Sequence, residues 1–306
     1  MNVLFKKKLQ ENPFVYHYTS LEALFAILEG YRCNVNSEYI PFRASCIFNV
    51  NDPREMELGF SAVKKFLPYF EEKSINNMFL SDVYNSPLHE NKCLERCNLR
   101  PQNGLIERGM IPYAISFSCS GDFLPMWSMY GNNKKGVCLK FNTGKLIEGL
   151  YGSCQVDFVS YDGEDDNYIM NEHFSLLYDY DAEKLGDKKM SIDEKVELLS
   201  IYCQCISPFI KSSSWGYEKE FRIVYNQMYG PEITEEYLRK IIFPFAKREM
   251  EIINRYSIIQ LSVKSLESVI VGPLADYKSI EHVIRNELCE CQLARVEVNP
   301  SFIQIR

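Results

Sequence analysis

Short stretches in which apolar and polar residues alternate, or aromatic and β-branched residues crowd together, recur along the whole chain. FVYHY (14–18), ASCIFNV (44–50), YAISFSC (113–119), GVCLKF (136–141), CQVDFVSY (154–161), EFRIVY (220–225), SVIVGP (268–273) and ARVEVN (294–299) carry this signature. A side-chain period of two, or a run of strand-forming residues, predicts a strand at each. Between them the apolar spacing lengthens to three and four, which predicts helices over roughly 20–29, 53–80, 191–210, 234–257 and 277–290. The helix at 191–210 is the plainest. Ser191 and Glu194 form a capping box, Ile192, Val196, Leu199, Cys203, Ile206 and Ile210 make its apolar stripe, and Pro208 is placed to bend or end it. Strands spread from end to end with helices between them predict an α+β fold, one domain over residues 1–306. Residues 60–110 read as a helical insertion and the acidic stretch 162–190 as a polar excursion.

Two helix starts sit beside polar residues of interest. Thr19 followed by Glu22 is a capping-box pattern, with Leu21, Leu24, Phe25 and Leu28 as the stripe and Gly30 as C-cap. His17 then lies where a strand meets a helix N-terminus. One reading is a residue beside an anion held by free backbone N–H groups, the other a hydrogen-bonded core histidine. In IFNVNDPREME (47–57), Asp52 as N-cap, Pro53 at the first helical position and Glu55 account for the helix start and leave Asn51 over.

The composition narrows the classes. A net charge of −7 argues against a chain that holds nucleic acid by its overall field. Eleven cysteines, an odd number with no secretory signal ahead of them, predict reduced thiols in a cytoplasmic protein rather than a disulfide framework. Their spacings lack the zinc-knuckle pattern, so no structural metal is expected, and no apolar run reaches the roughly 18 residues of a membrane span.

Two further stretches carry candidate chemistry. In YAISFSCSGDFLPMWSMYG (113–131), Ala114, Ser116 and Ser118 share one strand face, small residues that leave room for a ligand and supply donors. Trp127 and Tyr130, three apart on a short helix, either sandwich a flat ring or belong to the core. In SWGYEKEFRIVY (214–225), Glu218, Glu220 and Arg222 alternate onto one face, with Phe221 and Ile223 opposite.

The order Tyr-His-Tyr-Thr (16–19), Asn-Asp-Pro (51–53), Ser-Phe-Ser (116–118) with Met-Trp-x-x-Tyr-Gly (126–131), and Trp-x-Tyr-Glu-x-Glu-x-Arg (215–222) resembles a large bacterial family of uncharacterised domains. The opening VYHYTSLEALFAILEG (15–30) also resembles ADP-ribosyltransferases of the DarT and RNA 2′-phosphotransferase type, in which a Y-H-x-T-like strand precedes an I-L-x-x-G-like helix. That resemblance implies split antiparallel β-sheets, NAD as co-substrate, and a macromolecular acceptor that is RNA, DNA or protein. It places His17 on the adenosine side of NAD and Ser116, Ser118 and Tyr130 around the nicotinamide ribose, with Tyr18, Thr19 and Trp127 also in the cofactor-binding set. Asn51 and Arg222 join the cofactor-binding set. Glu220 takes the catalytic role, and Glu218 orients or deprotonates the acceptor. The same likeness implies a bacterial toxin or phage-defence effector, with an antitoxin as protein partner. Two other readings stay open: a nucleotide-binding sensor without turnover, and a nuclease holding magnesium through Asp52, Glu218 and Glu220.

Overall fold

In the computed structural model the described residues are 3–33, 38–47, 54–73, 80–98, 109–150, 154–161, 190–229, 247–249, 252–254 and 256–305, with 169 and 173 as single positions. Helix α1 (Val3–Glu11) leads into β1 (Phe14–Thr19), α2 (Leu21–Arg32) and β2 (Tyr39–Cys46). Three helices follow: α3 (Glu55–Lys73), α4 (Ser81–Tyr84) and α5 (Pro87–Asn98). Next come β3 (Gly109–Ser118), α6 (Leu124–Met129), β4 (Val137–Asn142), α7 (Thr143–Glu148), β5 (Cys154–Phe158) and β6 (Ser160–Tyr161). The long α8 (Ile192–Ile206) precedes β7 (Ile210–Lys211) and β8 (Glu220–Tyr229). Strands β9 (Lys247–Glu249), β10 (Ile252–Asn254), β11 (Tyr256–Ser262) and β12 (Leu266–Val271), then α9 (Tyr277–Glu290) and β13 (Glu297–Pro300), complete the order.

The fold is mixed α+β, built on a nine-stranded sheet with the order β11-β2-β3-β1-β4-β12-β13, to which β8 and β5 add from β3. All pairings in this sheet are antiparallel except β12 with β13. Strand β3 organises it. Along one edge β8 pairs with every residue from Gly109 to Ser118. Along the other edge, β2 takes Tyr113 and Ala114 while β1 takes Ser118. Strands β1 and β2 therefore diverge from a common neighbour, and the sheet splits beside Ser116.

One face of the sheet is an aromatic core. Phe117 meets Phe141 at 5.5 Å between ring centroids, Phe42 meets Phe141 at 5.6 Å, and Phe158 meets Phe221 at 5.2 Å. On β8 the alternation holds as expected: Phe221 and Ile223 are buried opposite Glu220 and Arg222. Helix α8 packs on α3, α4, α5 and β3, so the helices of the 60–110 segment cover a flank of the sheet.

Several boundaries differ from the sequence expectation. The first cap of α2 is Ser20, whose hydroxyl accepts from Ala23 N at 3.1 Å, and Thr19 is the last residue of β1. The Ser191 capping box is present, but α8 stops at Ile206. Pro208 has no N–H to extend it, and 207–209 tighten into a 3-10 turn that hands the chain to β7. Where a helix was expected over 234–257, the described residues 247–249, 252–254 and 256–257 are strand. From 256 onward the period is two: Ser257, Ile259 and Leu261 are buried while Ile258 and Gln260 are exposed. Asn51, Asp52 and Pro53 lie outside the described residues, as does the 162–190 stretch apart from 169, 173 and 190.

Candidate functional site

Where the sheet splits there is an open cavity of about 270 Å³. Strand β1 contributes Tyr16, His17 and Tyr18, β2 contributes Arg43 and Ser45, and β3 contributes residues 114–118. Glu220 and Arg222 enter from β8, Lys211 from β7, Glu218 from the turn before β8, and Met126 and Tyr130 from the end of α6.

The most ordered part is a buried charge quartet. Lys211 donates to Glu218 Oε2 at 2.5 Å and to Glu220 Oε1 at 2.6 Å. Arg222 donates through Nε to Glu220 Oε2 at 2.6 Å, through Nη2 to Oε1 at 3.2 Å, and through Nη1 to the Pro208 carbonyl at 2.6 Å. Tyr130 donates to Glu218 Oε1 at 2.5 Å. None of the four charged residues exceeds 4% exposure. Charges so far from water survive only because each has a partner of opposite sign.

Local backbone builds this quartet. The chain from 213 to 218 forms 3-10 turns, and Lys219 then takes a left-handed conformation (φ 44°, ψ 59°) before β8 begins at Glu220. Glu218 is thus not a strand residue alternating with Glu220. The reversal at Lys219 turns its carboxylate onto the same ammonium. Lys211 is fixed from behind by the Trp215 ring, 4.8 Å from its Nζ, and by the parallel pairing of β6 with β7. Tyr161, level with Lys211 in that pairing, accepts from the Glu220 backbone N at 2.9 Å.

The two carboxylates differ in proton affinity. Burial and then the hydrogen bond and repulsion from Glu220 push Glu218 up to about 7. Burial alone raises Glu220 as well, but Arg222, the hydrogen bond with Glu218, and Lys211 outweigh it and hold Glu220 well below the ordinary range. Two neighbouring acids whose environments drive them apart are suited to different tasks at neutral pH.

His17 sits in the split. Its Nδ1 lies 3.0 Å from the Ser116 carbonyl, and its ring meets Phe42 and Phe117 edge-on at 5.5 and 5.7 Å. Burial lowers its pKa, the carbonyl contact opposing. A carbonyl only accepts, so the neutral ring carries its proton on Nδ1 and leaves Nε2 as an acceptor. His17 therefore combines the two sequence readings: hydrogen-bonded against the aromatic core, and part of a cavity wall.

The remaining predicted residues divide. Ser116 is exposed on the cavity wall. Ser118 and Tyr18 line the cavity, but their hydroxyls are engaged. Ser118 donates to the Glu218 carbonyl at 2.7 Å and accepts from Ser120 N at 3.0 Å, and Tyr18 donates to the Ser120 carbonyl at 2.8 Å and accepts from Phe123 N at 3.0 Å. Both fasten the loop after β3. Trp127 has no exposed surface, stands edge-on to Tyr18 at 4.9 Å and donates to Asp122 at 2.8 Å. It backs the cavity without lining it, so it has no free face for a ligand ring. Thr19 pairs with Val137 and is not among the lining residues, and Asn51 lies outside the described residues.

Lys211 and Arg43 did not figure in the sequence reading. Lys211 stands in a two-residue strand with no periodicity to show it. Arg43 did have a signal: in YIPFRASC the residues 40, 42, 44 and 46 are buried, which puts Arg43 and Ser45 together on the polar face. A strand taken to start at 44 hides that pattern. Among the described residues no cluster of His, Cys, Asp or Glu is able to hold a metal ion, and none forms a helix long and apolar enough to cross a membrane.

A domain family described as a protein of unknown function, DUF2971, matches residues 126–223. That span holds α6 from Met126 on, Tyr130, Lys211 and the whole carboxylate–cation quartet, and excludes His17, Arg43, Ser116 and Ser118. No curated protein and no solved structure matches the chain.

Proposed function

We propose that the cavity binds NAD and that the protein is an ADP-ribosyltransferase modifying a macromolecule. One observation carries this reading: His17 and the Glu218–Glu220 pair, about two hundred positions apart in sequence, line one cavity at the split of an antiparallel sheet. The likeness of residues 15–30 to the DarT and RNA 2′-phosphotransferase type supplies the rest, including the toxin or defence role and an antitoxin partner.

The residue chemistry fits a nucleotide. The cavity is open, polar on the Ser116 side and cationic at Arg43, and neutral His17 offers Nε2 to a ribose hydroxyl. When the bond from nicotinamide to C1′ breaks, its electron pair leaves with nicotinamide and positive charge develops on the ribose. Glu220, kept ionised by Arg222 and Lys211, is the fixed carboxylate that stabilises this charge, as carboxylates do in glycoside cleavage. The acceptor's oxygen or nitrogen bonds to C1′, and Glu218 takes its proton.

A second reading, a nucleotide-binding sensor without turnover, has its own support. Both oxygens of Glu220 are already taken by Lys211 and Arg222, so its charge is spent within the protein. Nicotinamide release from NAD, measured with RNA, DNA and protein acceptors, separates the two. The transferase reading expects release that falls about 10²–10⁴-fold in Glu218→Gln. NAD that binds by calorimetry but stays intact with every acceptor leaves the sensor, and NAD that does neither removes both.

A further inference from the structure

Among the described residues lining the cavity, the cationic side chains are Arg43, Lys211 and Arg222, with His17 neutral. Lys211 and Arg222 are both tied to buried carboxylates. Arg43 is exposed and makes no carboxylate contact among the described residues; its guanidinium lies 4.8 Å from the centroid of the Tyr256 ring. That stacking orients the planar group and leaves its N–H edges for another partner.

The register shows what stands beside it. Ser45 pairs with Ala114 across β2 and β3. Just past the end of that ladder Arg43 and Ser116 both line the cavity, and Ser116 pairs with Arg222 on β3's other edge. Arg43, Ser116 and Arg222 therefore make a row across three neighbouring strands, all lining the cavity, with Arg43 and Ser45 on the far side of β3 from the glutamates. Strand spacing alone separates the outer Cα atoms of that row by roughly 10 Å, and the split adds to it. Among the described residues the cavity thus has a carboxylate end and a cationic end with no carboxylate against it. Ser45 and Ser116, both exposed, bring hydroxyl donors to the cationic end.

We infer that Arg43, with Ser45 and Ser116, is an anion subsite that takes the diphosphate of a nucleotide and so sets the direction in which the ligand lies. This rests on the nucleotide reading of the cavity: phosphates at β2, the reacting ribose toward Glu218 and Glu220. A guanidinium fork and two hydroxyls match the acceptor-only oxygens of a phosphate, and charge-assisted bonds of this kind are the strong ones.

The test is calorimetric titration of the full chain with ADP-ribose, adenosine and inorganic pyrophosphate, in the parent, Arg43→Ala and Arg43→Lys. Arg43→Ala is expected to weaken ADP-ribose about tenfold to hundredfold and to leave adenosine unchanged, with Arg43→Lys between. Thermal melts establish that the variants are folded; Arg43 is exposed, so little change is expected. Unaltered ADP-ribose affinity in Arg43→Ala, or an equal loss for adenosine, overturns the subsite while leaving the nucleotide cavity standing. If the parent binds neither ADP-ribose nor NAD, the nucleotide reading is what has failed. Pyrophosphate then decides the subsite alone: Arg43-dependent binding supports an anion site, and its absence removes it.

Discussion

At the scale of single residues, the quartet changes which glutamate makes the cleaner probe. Glu220→Gln removes a charge that two buried cations share, leaving Lys211 and Arg222 against Glu218 alone, and orphaned buried charge of this kind costs about 3–5 kcal/mol. Glu218, near 7, is already protonated part of the time at neutral pH, so Glu218→Gln resembles one of its native states. Urea unfolding at neutral pH is expected to show a large loss for Glu220→Gln and a small one for Glu218→Gln. The pH dependence has a definite sign. Between its ordinary value of 4.5 and about 7, Glu218 binds more proton in the folded chain than in the unfolded one. Its contribution to stability is complete below 4.5 and is lost as pH rises through about 7. Glu220, held low, contributes above 4.5 and loses its contribution as pH falls through its folded value. Melting curves across that range, parent against Glu218→Gln, isolate the first effect: the parent's stability should fall relative to the variant as pH rises. Lys211→Met takes away a cation that favours ionised Glu218, so the acid limb near pH 7 that the transferase proposal expects should move upward, while Lys211→Arg keeps it closer to its place. Their spacing at every second position beside a tryptophan-bearing loop marked Glu218, Glu220 and Arg222 as candidates in the sequence, although only Glu220 and Arg222 share a strand. Lys211 was not marked, because its importance arises only when β7 is laid beside β6.

At the scale of elements, alternation and caps were the dependable signals. Strand β1, the strand cores of β3, β4 and β8, the box at Ser191 and the bounds of α9 all follow from local pattern. The expectation failed where local pattern was thin, at the two-residue β7 and over 234–257, read as helix, where the described residues are strand. Lys219 gives the subtler case. Glu218 and Glu220 look like neighbours on a strand face, but a left-handed residue between them does the aligning, which spacing does not reveal. The approach of α3 to the turn at 207–209 is equally invisible in sequence. A Cβ added at Gly59 would lie 1.9 Å from Ser207 Oγ and 2.6 Å from its Cα. Gly59→Ala should therefore push α3 off the turn that leads to Lys211 and destabilise the protein by about 1–3 kcal/mol, measurable by urea unfolding.

At the scale of the whole molecule, the sheet gathers strands from residues 14 to 300, so the cavity depends on pairings that no local window contains. The α+β class was legible because class follows from the mix of periods; the split beside Ser116 was not, because it depends on which strand pairs with which. Among the described residues ten cysteines stand outside any disulfide, six of them buried. A reducing agent should accordingly leave the melting temperature unchanged, and a fall on reduction would show that a crosslink forms in solution.

The contrast between the shielded quartet and the open Arg43 separates their responses to ionic strength. Mobile ions reach a solvent-facing guanidinium and screen it over a Debye length of about 10 Å at 0.1 M, but do not enter a site buried as deeply as Lys211. Added potassium chloride should weaken the phosphate binding inferred for Arg43 steadily and leave the proton affinity of Glu218 almost where it was, so one titrant resolves the two ends of the cavity without changing a residue.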